Sequence, residues 1–526
     1  MLRISNIKYP LEKEITTEDL KIKVAKILNT KKENIEDLKI SKKSIDAREK
    51  LGGFYVLALD INIKNEEKYL KIKNVAKVQP FSYEIPKKSF EKSPVIIGFG
   101  PAGLMSALIL ARAGANPIIL ERGKSVEERK KDIDIFWETG ELNENSNVQF
   151  GEGGAGTFSD GKLTTGIKDF RCRILLEEFV KASAPEEILY NAKPHIGTDR
   201  LITMVENMRK EIIALGGKVL FEHQAINLET ENDEITGVLV KNLKTEDIFT
   251  INTNNVVLAI GHSSRDTFEM MKNLNHPMVR KPFAVGVRVE HSQNFINNNQ
   301  YGKFACYLPA ADYKLSVRLP NNRGAYTFCM CPGGYVVNSS SEKGRLVTNG
   351  MSYYARAGEN ANSALLVEVY PEDFKDDDIL AGIKFQRELE EKAFIAGGSN
   401  YFAPVQKIGD ILKEQPTTEI NGINPTFKPN VTPANFKDIF PEFIYNSIRL
   451  GLIEMNKKIK GFADEDGILT AVESRSSSPV RILRNEDFQS VKFKGLYPCG
   501  EGCGYAGGIV SAGVDGIKCA EAILNN

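Results

Sequence analysis

A glycine-rich turn, Val95-Ile-Ile-Gly98-Phe-Gly100-Pro-Ala-Gly103, links a short apolar segment to the start of a predicted helix. In such a turn the first glycine permits a tight bend, the second lets the backbone approach a pyrophosphate and the third allows close helix packing. Free N–H groups at the helix start then face the anion. Glu121 follows eighteen residues after Gly103, where it is expected to accept hydrogen bonds from ribose hydroxyls. The pattern predicts a site for the ADP group of a dinucleotide.

The turn alone does not show which dinucleotide binds, because FAD and NAD both carry an ADP group. A carboxylate at Glu121 would repel a 2′-phosphate, so the bound adenosine is expected to lack one. The alternative is a glycine-rich turn that binds nothing, but the strand, the helix and the acid together favour nucleotide binding. Pro101 and Ala102 within the turn, and Arg122 beside the acid, complete this group of expected contacts.

The composition is that of a globular protein with more than one domain. The chain has 526 residues, and single hydrophobic cores stop growing at about 250–300 residues, so two or three domains are expected. Hydrophobic residues make up 42% and charged residues 26%, as in ordinary globular proteins. Lysine plus arginine (69) equals aspartate plus glutamate (69), so no net field attracts nucleic acid or an anionic membrane. Neither is expected as a partner.

The sequence favours a cytoplasmic location. Residues 1–10 lack the charged-then-apolar layout of a secretory signal. The longest uncharged run, Ser93–Ala111, has about the length of a membrane span, but three glycines and a proline near its centre would interrupt a spanning helix. Seven cysteines without a sign of export indicate free thiols in a reducing compartment.

A small α+β module is predicted at residues 1–90. Alternating and helical spacing indicate three strands around one helix, at Arg3–Lys8, Thr17–Leu28 (the helix), Ile35–Ser44 and Phe54–Ile63. The lysine-rich residues 64–92 contain Pro80 and Pro86, which cannot continue a helix or a central strand. They are expected to link two domains.

An α/β domain that is interrupted once is predicted to follow. Apolar strands alternate with a helix between Pro94 and Glu121, which indicates a βαβ unit and a doubly wound parallel sheet. Residues 91–280 would be its first part. The strand-rich residues 281–475 would be an inserted mixed-sheet substrate domain, and residues 476–526 would complete the α/β domain.

A second glycine-rich segment, Gly151–Lys162, holds five glycines together with hydroxyl and ammonium donors. Its backbone and side chains can donate hydrogen bonds to a phosphate or to the ring of a cofactor. The alternative is a solvated surface loop. The expected contacts are Gly154, Gly156, Thr157, Ser159 and Lys162.

Two further apolar segments end in small residues, one at Gly261-His262 and one at Gly500-Glu501. Ala506-Gly507-Gly508 then leads into a predicted helix at Ile509–Leu524. A helix that starts near Gly508 would direct its positive end at an electron-accepting ring.

In these segments the chain resembles the flavoproteins of the glutathione-reductase superfamily, whose Gly-acid pair near the C-terminus binds the ribityl chain of FAD. The resemblance implies FAD as cofactor and implies contacts from Gly261, Gly500, Glu501, Gly507 and Gly508. Here Glu501 stands where aspartate is commoner, which keeps a hydrogen-bond acceptor and adds a methylene group.

Over essentially its whole length the chain is similar to bacterial FAD-dependent proteins labelled NAD(FAD)-utilising dehydrogenases. The similarity lies in Ser44–Arg48, Asn147–Lys162 and Glu473–Arg481. It implies the α/β class, with a discontinuous Rossmann-like FAD-binding domain, an inserted mixed-sheet α+β substrate domain and a small N-terminal α+β module. Members of that family mostly lack an assigned substrate, so the resemblance implies a fold and a cofactor more than a reaction.

The cysteines and histidines do not indicate a metal site. Cys499 and Cys503 lie near the predicted flavin edge, and Cys329 and Cys331 lie in the inserted domain, so thiolate chemistry or a four-cysteine site are open alternatives. Neither pair has C-x-x-C spacing, and inert packing is the favoured interpretation. The five histidines lack metal-ligand spacing, and only His262 is expected near the cofactor.

These observations predict an FAD-dependent oxidoreductase that transfers hydride between the flavin and an unidentified small molecule. Only one G-x-G-x-x-G opens a βαβ unit, so NAD(P)H would bind transiently as donor in a ping-pong cycle. The polar segments at residues 349–356 and 473–484 either face the substrate or are solvated loops. The alternatives are a flavin-dependent monooxygenase and a non-catalytic FAD-binding sensor or scaffold. No catalytic proton donor is assigned from the sequence.

Overall fold

The N-terminal part of the protein is a four-stranded antiparallel sheet with one helix packed on it. The computed structural model describes residues 1–48, 52–79 and 81–526. The elements of this part are β1 (Leu2–Pro10), α1 (Thr17–Leu28), β2 (Ile35–Asp46), β3 (Phe54–Ile63) and β4 (Val75–Lys77). The strand order is β2-β3-β1-β4. Thr16 caps α1 by accepting a hydrogen bond from the Asp19 amide, and the predicted helix and strands are confirmed.

The predicted linker at residues 64–92 is wrong in its first half. The strand β4 lies within it and pairs with β1, so the N-terminal sheet extends to Lys77. This strand has only three residues, too few to show an alternating pattern. Residues 81–92 pack beside the C-terminal helix, where Tyr83 Oη donates to Glu521 at 2.8 Å. Pro80, which contributed to the prediction, lies outside the described residues.

The next part contains strands and helices in alternation and then a three-stranded antiparallel sheet. Its elements are β5 (Val95–Ile97), α2 (Pro101–Ala113), β6 (Ile118–Glu121), α3 (Val126–Thr139), α4 (Arg171–Lys181), α5 (Thr198–Ala214), β7 (Lys218–Phe221), β8 (His223–Glu231), β9 (Glu234–Asn242), β10 (Ile248–Asn252), β11 (Val256–Leu258), α6 (Arg265–Asn273) and β12 (Met278–Arg280). The uncharged run at residues 93–111 is a strand, a turn and a helix, as predicted. Among the described residues, no helix combines the length and the apolar character needed to cross a bilayer.

A seven-stranded mixed sheet dominates the following part. Its elements are β13 (Phe283–Ser292), α7 (Gln293–Tyr301), β14 (Ser316–Arg318), β15 (Gly324–Cys331), β16 (Tyr335–Asn338), β17 (Thr348–Met351), β18 (Asn360–Val369), α8 (Ala381–Ala396), β19 (Ala403–Lys407), α9 (Ile408–Leu412), β20 (Val431–Pro433), α10 (Glu442–Asn456) and β21 (Ile468–Glu473). The order is β14-β15-β18-β13-β21-β19-β20, antiparallel except for the β19–β20 pair. The central strands β13 and β18 are buried along nearly their whole length.

The last part of the chain returns to the first α/β unit. Its elements are β22 (Val480–Ile482), β23 (Leu496–Pro498) and α11 (Ile509–Asn525). The strand β23 pairs in parallel with β11 and completes a parallel sheet of order β23-β11-β5-β6-β7. One parallel sheet is therefore built from residues that precede the seven-stranded sheet in the sequence and from residues that follow it.

Glycines allow three direct backbone contacts around the turn after β5. A Cβ atom at Gly103 would lie 2.0 Å from the Gly98 carbonyl oxygen, and one at Gly98 would lie 2.4 Å from the Ala259 oxygen. A Cβ atom at Gly516 would lie 2.1 Å from the Ala102 oxygen. Real Cβ atoms do not occupy such positions, so β5, α2, β11 and α11 pack this closely only with glycine there.

We expect Gly98→Ala to lower the free energy of unfolding by about 3–5 kcal/mol, from left-handed backbone strain plus overpacking. Gly98 has φ +96°. Gly114→Ala is the matched control, because Gly114 has φ +87° but no atom within 4 Å of its Cβ position. The Gly114→Ala variant should lose only about 1–2 kcal/mol of unfolding free energy. Urea denaturation of both variants measures the difference, and equal losses would contradict the close contact with Ala259.

Candidate functional site

One cavity, with a volume of about 340 Å³, brings the predicted segments together. It is lined by the turn after β5, the second glycine-rich segment, the N-terminus of α11, and residues of β15 and β17. The predicted cofactor contacts that line it are Gly98, Gly100, Pro101, Ala102, Glu121, Arg122, Gly154, Gly156, Ser159, Lys162, Gly261, Gly500, Glu501, Gly507 and Gly508. Gly103 and Thr157 do not line it.

The glycines at the cavity wall differ from those that serve packing. Cβ atoms at Gly261, Gly507 and Gly508 would have no atom within 4 Å, although all three residues line the cavity. A Cβ at Gly100 would meet only Gly154 Cα, at 3.8 Å. Side chains at these positions would project into open space where a ligand has to pass. The cavity therefore has the smooth backbone wall that a long dinucleotide requires.

The Glu121 carboxylate joins the loops that form one end of the cavity. Its Oε2 accepts from the Phe99 amide at 3.0 Å, and its Oε1 accepts from the amides of Gly123 at 2.8 Å and Gly151 at 3.0 Å. Most of its acceptor capacity is thus used inside the protein. Glu121 is predicted from the sequence to accept from ribose hydroxyls, and in the structure its carboxylate holds the turn and the second glycine-rich segment in contact.

The second glycine-rich segment is not a solvated loop, so that alternative is wrong. Glu152 and Asp160 within it have no exposed surface. The buried side chain of Arg129, on α3, donates hydrogen bonds of 2.6–3.0 Å to four backbone carbonyl groups. Two of these carbonyls lie within the segment and two lie just before it. Arg129 was missed because a single arginine in a charged helix gives no sequence signal. It fixes the loop as one wall of the cavity.

Lys162 is held at the cavity wall by an ion pair. Its ammonium lies 2.8 Å from Asp160 Oδ2, and Arg356 donates to Asp160 Oδ1 at 2.9 Å. Both cations hold the pKa of the buried Asp160 carboxyl well below its usual range. Arg356, which was a candidate to face the substrate, instead orients Asp160 and does not line the cavity.

The end of the cavity near Arg122 contains lining residues that could not be identified from the sequence. His223, Gln224 and Ala225 of β8 line the cavity there. Arg122 pairs with Asp266 at 2.8 Å, and its guanidinium stacks on Phe150, at 4.5 Å from the ring centre. No motif marks β8, because its residues become part of the wall only through the tertiary fold.

His262 and Glu501 both line the cavity and face one another. His262 Nδ1 lies 3.7 Å from Glu501 Oε1, and His262 Nε2 has no hydrogen-bond partner among the described residues. Burial lowers the pKa of His262 to about 3, so the imidazole is neutral at physiological pH. Burial also raises the pKa of Glu501 to about 7, with the Lys281 ammonium acting in the opposite direction. His262, which the sequence predicts to lie near the cofactor, lines the cavity.

A buried network fixes the segment after β21, where Arg475 lines the cavity. Arg475 donates to Glu390 at 2.7 Å and to Ser341 at 2.6 Å. Arg265 lies beside it, and burial lowers the pKa of its guanidinium to about 9. In the candidate substrate segment at residues 473–484, Glu473 and Ser476 also line the cavity. In the candidate segment at residues 349–356, Asn349 lines it. Tyr353 and Tyr354 do not.

The cysteines around β23 serve packing. Cys503 is buried, and its thiol donates to the Leu258 carbonyl at 3.1 Å. Cys499 and Cys519 lie near Asp515, but that carboxylate is paired with Arg484 at 2.7 Å and also accepts from the Gly500 amide. The Arg484 guanidinium therefore already supplies a positive charge to this cluster. These contacts hold the Gly500-Glu501 turn against α11.

Comparisons with known proteins identify the cofactor. Residues 1–62 match a domain of unknown function, residues 166–291 match an FAD binding domain, and residues 282–476 match the C-terminal domain-like part of FAD-dependent proteins. An uncharacterized protein of Clostridium beijerinckii is 46% identical over 539 residues, which is 99% of this chain and 98% of that protein.

More distant matches are also found. A thiamine thiazole synthase of Methanococcus vannielii is 21% identical over 248 residues, 45% of this chain and 84% of that enzyme. Among solved structures, a geranylgeranyl bacteriochlorophyll reductase-like protein of Thermoplasma acidophilum is 13% identical, covers 84% of this chain and 80% of its own, and has a TM-score of 0.35.

The matched domains and the Rossmann-like sheet define the class: the protein is a flavoprotein of the FAD-dependent oxidoreductase type, and FAD is its cofactor. Within that class, the chain belongs to the same family as the Clostridium beijerinckii protein.

The elevated pKa of Glu501 predicts a pH dependence of stability in the FAD-free protein. A carboxyl whose pKa in the folded state exceeds its unfolded value of about 4.3 favours folding less as pH rises through the folded value. Between pH 5 and 8 the wild type should therefore lose about 2 kcal/mol more stability than Glu501→Gln, because other titrations cancel in the difference. Urea denaturation at both pH values measures it. Parallel losses in the two proteins would show that Glu501 is not buried as an acid.

Proposed function

We propose that the protein transfers hydride between FAD and a small organic substrate, with NAD(P)H as a transient electron donor. The observation that carries this proposal is the continuity of the cavity. The same cavity includes the turn at residues 98–103, suited to a pyrophosphate, and a polar end formed by Lys162, Asn349, Glu473 and Ser476. A cofactor that fills the first part would present its ring to the second.

The residues of the cavity fit FAD. The bare glycine positions Gly261, Gly507 and Gly508 give room for a long, narrow cofactor, as a Cβ at each would meet open space. Bound FAD supplies the two-electron chemistry that the protein side chains lack. We assign the ADP half to the turn after β5, because the first amides of α2 have no partner within the helix and favour an anion.

The N-terminus of α11 has an electrostatic role in this proposal. Gly507, Gly508 and Ile509 line the cavity at the start of this seventeen-residue helix. The partial positive charge of a helix N-terminus stabilises an adjacent anion by about 0.3–1 kcal/mol or more when partly buried. Placed beside the pyrimidine edge of the ring, it would favour the reduced, negatively charged cofactor.

Glu501 suits the handling of a proton at the same site. With a pKa raised to about 7 by burial, its carboxyl exists in both protonation states near neutral pH. The neutral His262 imidazole beside it accepts or donates a hydrogen bond without adding charge. We propose that this pair contacts the ribityl chain or the ring and sets the local proton balance.

Gly508→Leu should weaken FAD binding at least tenfold, which corresponds to about 1.4 kcal/mol, because the new side chain would enter the cavity. Gly508 has φ 169°, an extended conformation open to any residue, so the variant should fold. Gly166→Leu is the matched control, since a Cβ at Gly166 also meets open space but lies outside the cavity lining. Equilibrium dialysis with FAD measures both variants. Unchanged affinity in Gly508→Leu would contradict this cofactor position.

Anaerobic stopped-flow mixing of the FAD-loaded protein with NADH or NADPH tests the reaction itself. We expect one of the two to bleach the flavin absorbance within seconds and an organic acceptor to restore it. No bleaching by either nucleotide would remove NAD(P)H as the donor. Peroxide formation in air that rises only when substrate is added would favour the monooxygenase. Flavin that is reduced but passes its electrons to no acceptor would favour the sensor or scaffold.

A further inference from the structure

Two cysteines lie at the end of β15, and one of them lines the cavity. Cys329 lines the cavity, and Cys331 lies buried two residues further on. The thiol of Cys331 donates to the Cys329 carbonyl at 3.2 Å. The sequence gives only a C-x-C pair here, for which the sequence analysis favoured inert packing. In the structure Cys329 belongs to the wall of the space proposed for the flavin and its substrate.

The backbone at this pair departs from a regular strand. Cys329 has φ +42°, which is rare for a residue other than glycine, and the pairing of β15 with β18 shifts register between Phe328 and Cys331. In an extended strand, residues i and i+2 lie about 6.6–6.8 Å apart, at the upper limit for a disulfide. A bulge with a left-handed residue bends the chain and reorients the side chains around it. This conformation allows the two sulfur atoms to approach one another.

Two cationic side chains contact the backbone at and next to Cys329. Arg288 donates to the Cys329 carbonyl at 2.8 Å, and the Lys162 ammonium bonds the Met330 carbonyl. Asp160, Glu473 and Glu501 carry opposing charge nearby: Asp160 pairs with Lys162, Arg288 binds Glu473 in bidentate fashion, and Glu501 lines the same cavity.

The two thiols differ in acidity as a result. The Cys331 thiol, Lys162 and Arg288 lower the pKa of Cys329 to about 5 against the opposing effect of burial. Burial and the neighbouring Cys329 raise the pKa of Cys331 well above its usual value. Cys329 is therefore the more acidic of the two thiols, the arrangement found where dithiols exchange electrons.

We propose that Cys329 and Cys331 form a redox-active pair that exchanges two electrons with the bound flavin. The inference rests on the proposed function, since it needs FAD in the cavity. In the forward step the reduced anionic flavin gives up two electrons and one proton, and the Cys329–Cys331 disulfide bond breaks. The products are oxidised FAD, the Cys329 thiolate and the Cys331 thiol. The same step in reverse forms the S–S bond and reduces FAD, so no other reactant is needed.

Anaerobic reductive titration of the oxidised, FAD-loaded protein with dithionite tests this exchange. We expect the wild type to take up two electron pairs per FAD, and Cys329→Ser and Cys331→Ser to take up one. Cys306→Ser is the matched control and should still take up two, because Cys306 is an exposed thiol outside the cavity lining. Uptake of a single pair by the wild type would overturn the inference.

A second measurement does not depend on flavin chemistry or on the folding of the variants. In the FAD-free wild type at pH 6, iodoacetamide should modify Cys329 at least tenfold faster than Cys306, because only the thiolate reacts. In a separate sample that has not been alkylated, mild oxidation should remove two hydrogens from the peptide that carries both cysteines, as seen by mass spectrometry. Equal alkylation rates, or a peptide mass that oxidation leaves unchanged, would overturn the inference.

The outcomes for the two proposals are distinguishable. If the wild type binds FAD and NAD(P)H reduces it, but only one electron pair is taken up, the proposed function stands and the cysteine pair is not redox-active. If the protein does not bind FAD in the cavity, both proposals fall together.

Discussion

The three hydrogen bonds to the Glu121 carboxylate hold together the loops on which the site depends. They join the turn at Phe99, the end of β6 at Gly123 and the second glycine-rich segment at Gly151. Hydrogen bonds to a buried charged group are among the stronger ones in proteins, and each unmet amide here would cost roughly 1–3 kcal/mol. One acidic side chain thereby aligns three backbone segments into the wall of a cavity before any ligand binds.

The same wall requires chain segments that are far apart in the sequence to touch without side chains between them. The contact of Gly516 with Ala102 seats α11 directly on α2, and β23 beside β11 puts the turn at Gly500 next to the first strands. The seven-stranded sheet is therefore inserted, in the sequence, between two portions of one parallel sheet. Its residues, including Cys329 and Glu473, close the far end of the cavity. The proposed positions of cofactor and substrate depend on this one arrangement.

Much of this could be predicted from local sequence. The turn at Gly98, the helix α1 and the return of the chain at Gly500 all carry patterns whose physical causes are local, namely bend geometry and hydrophobic spacing. The strand β4 could not be found, because three residues show no period. Arg129, Gln224 and Cys329 also could not be assigned, since their roles arise from contacts across many residues that no spacing rule encodes.

A structure of the protein crystallised with FAD tests the central claim most directly. We expect the pyrophosphate within hydrogen-bond distance of the amides at the start of α2, the ring edge beside Gly508, and the opposite ring edge turned toward Cys329. The Glu121 hydrogen bonds to Phe99 and Gly151 should persist. FAD bound outside the cavity, or a ring turned toward β8 with its adenine beside α11, would contradict the account.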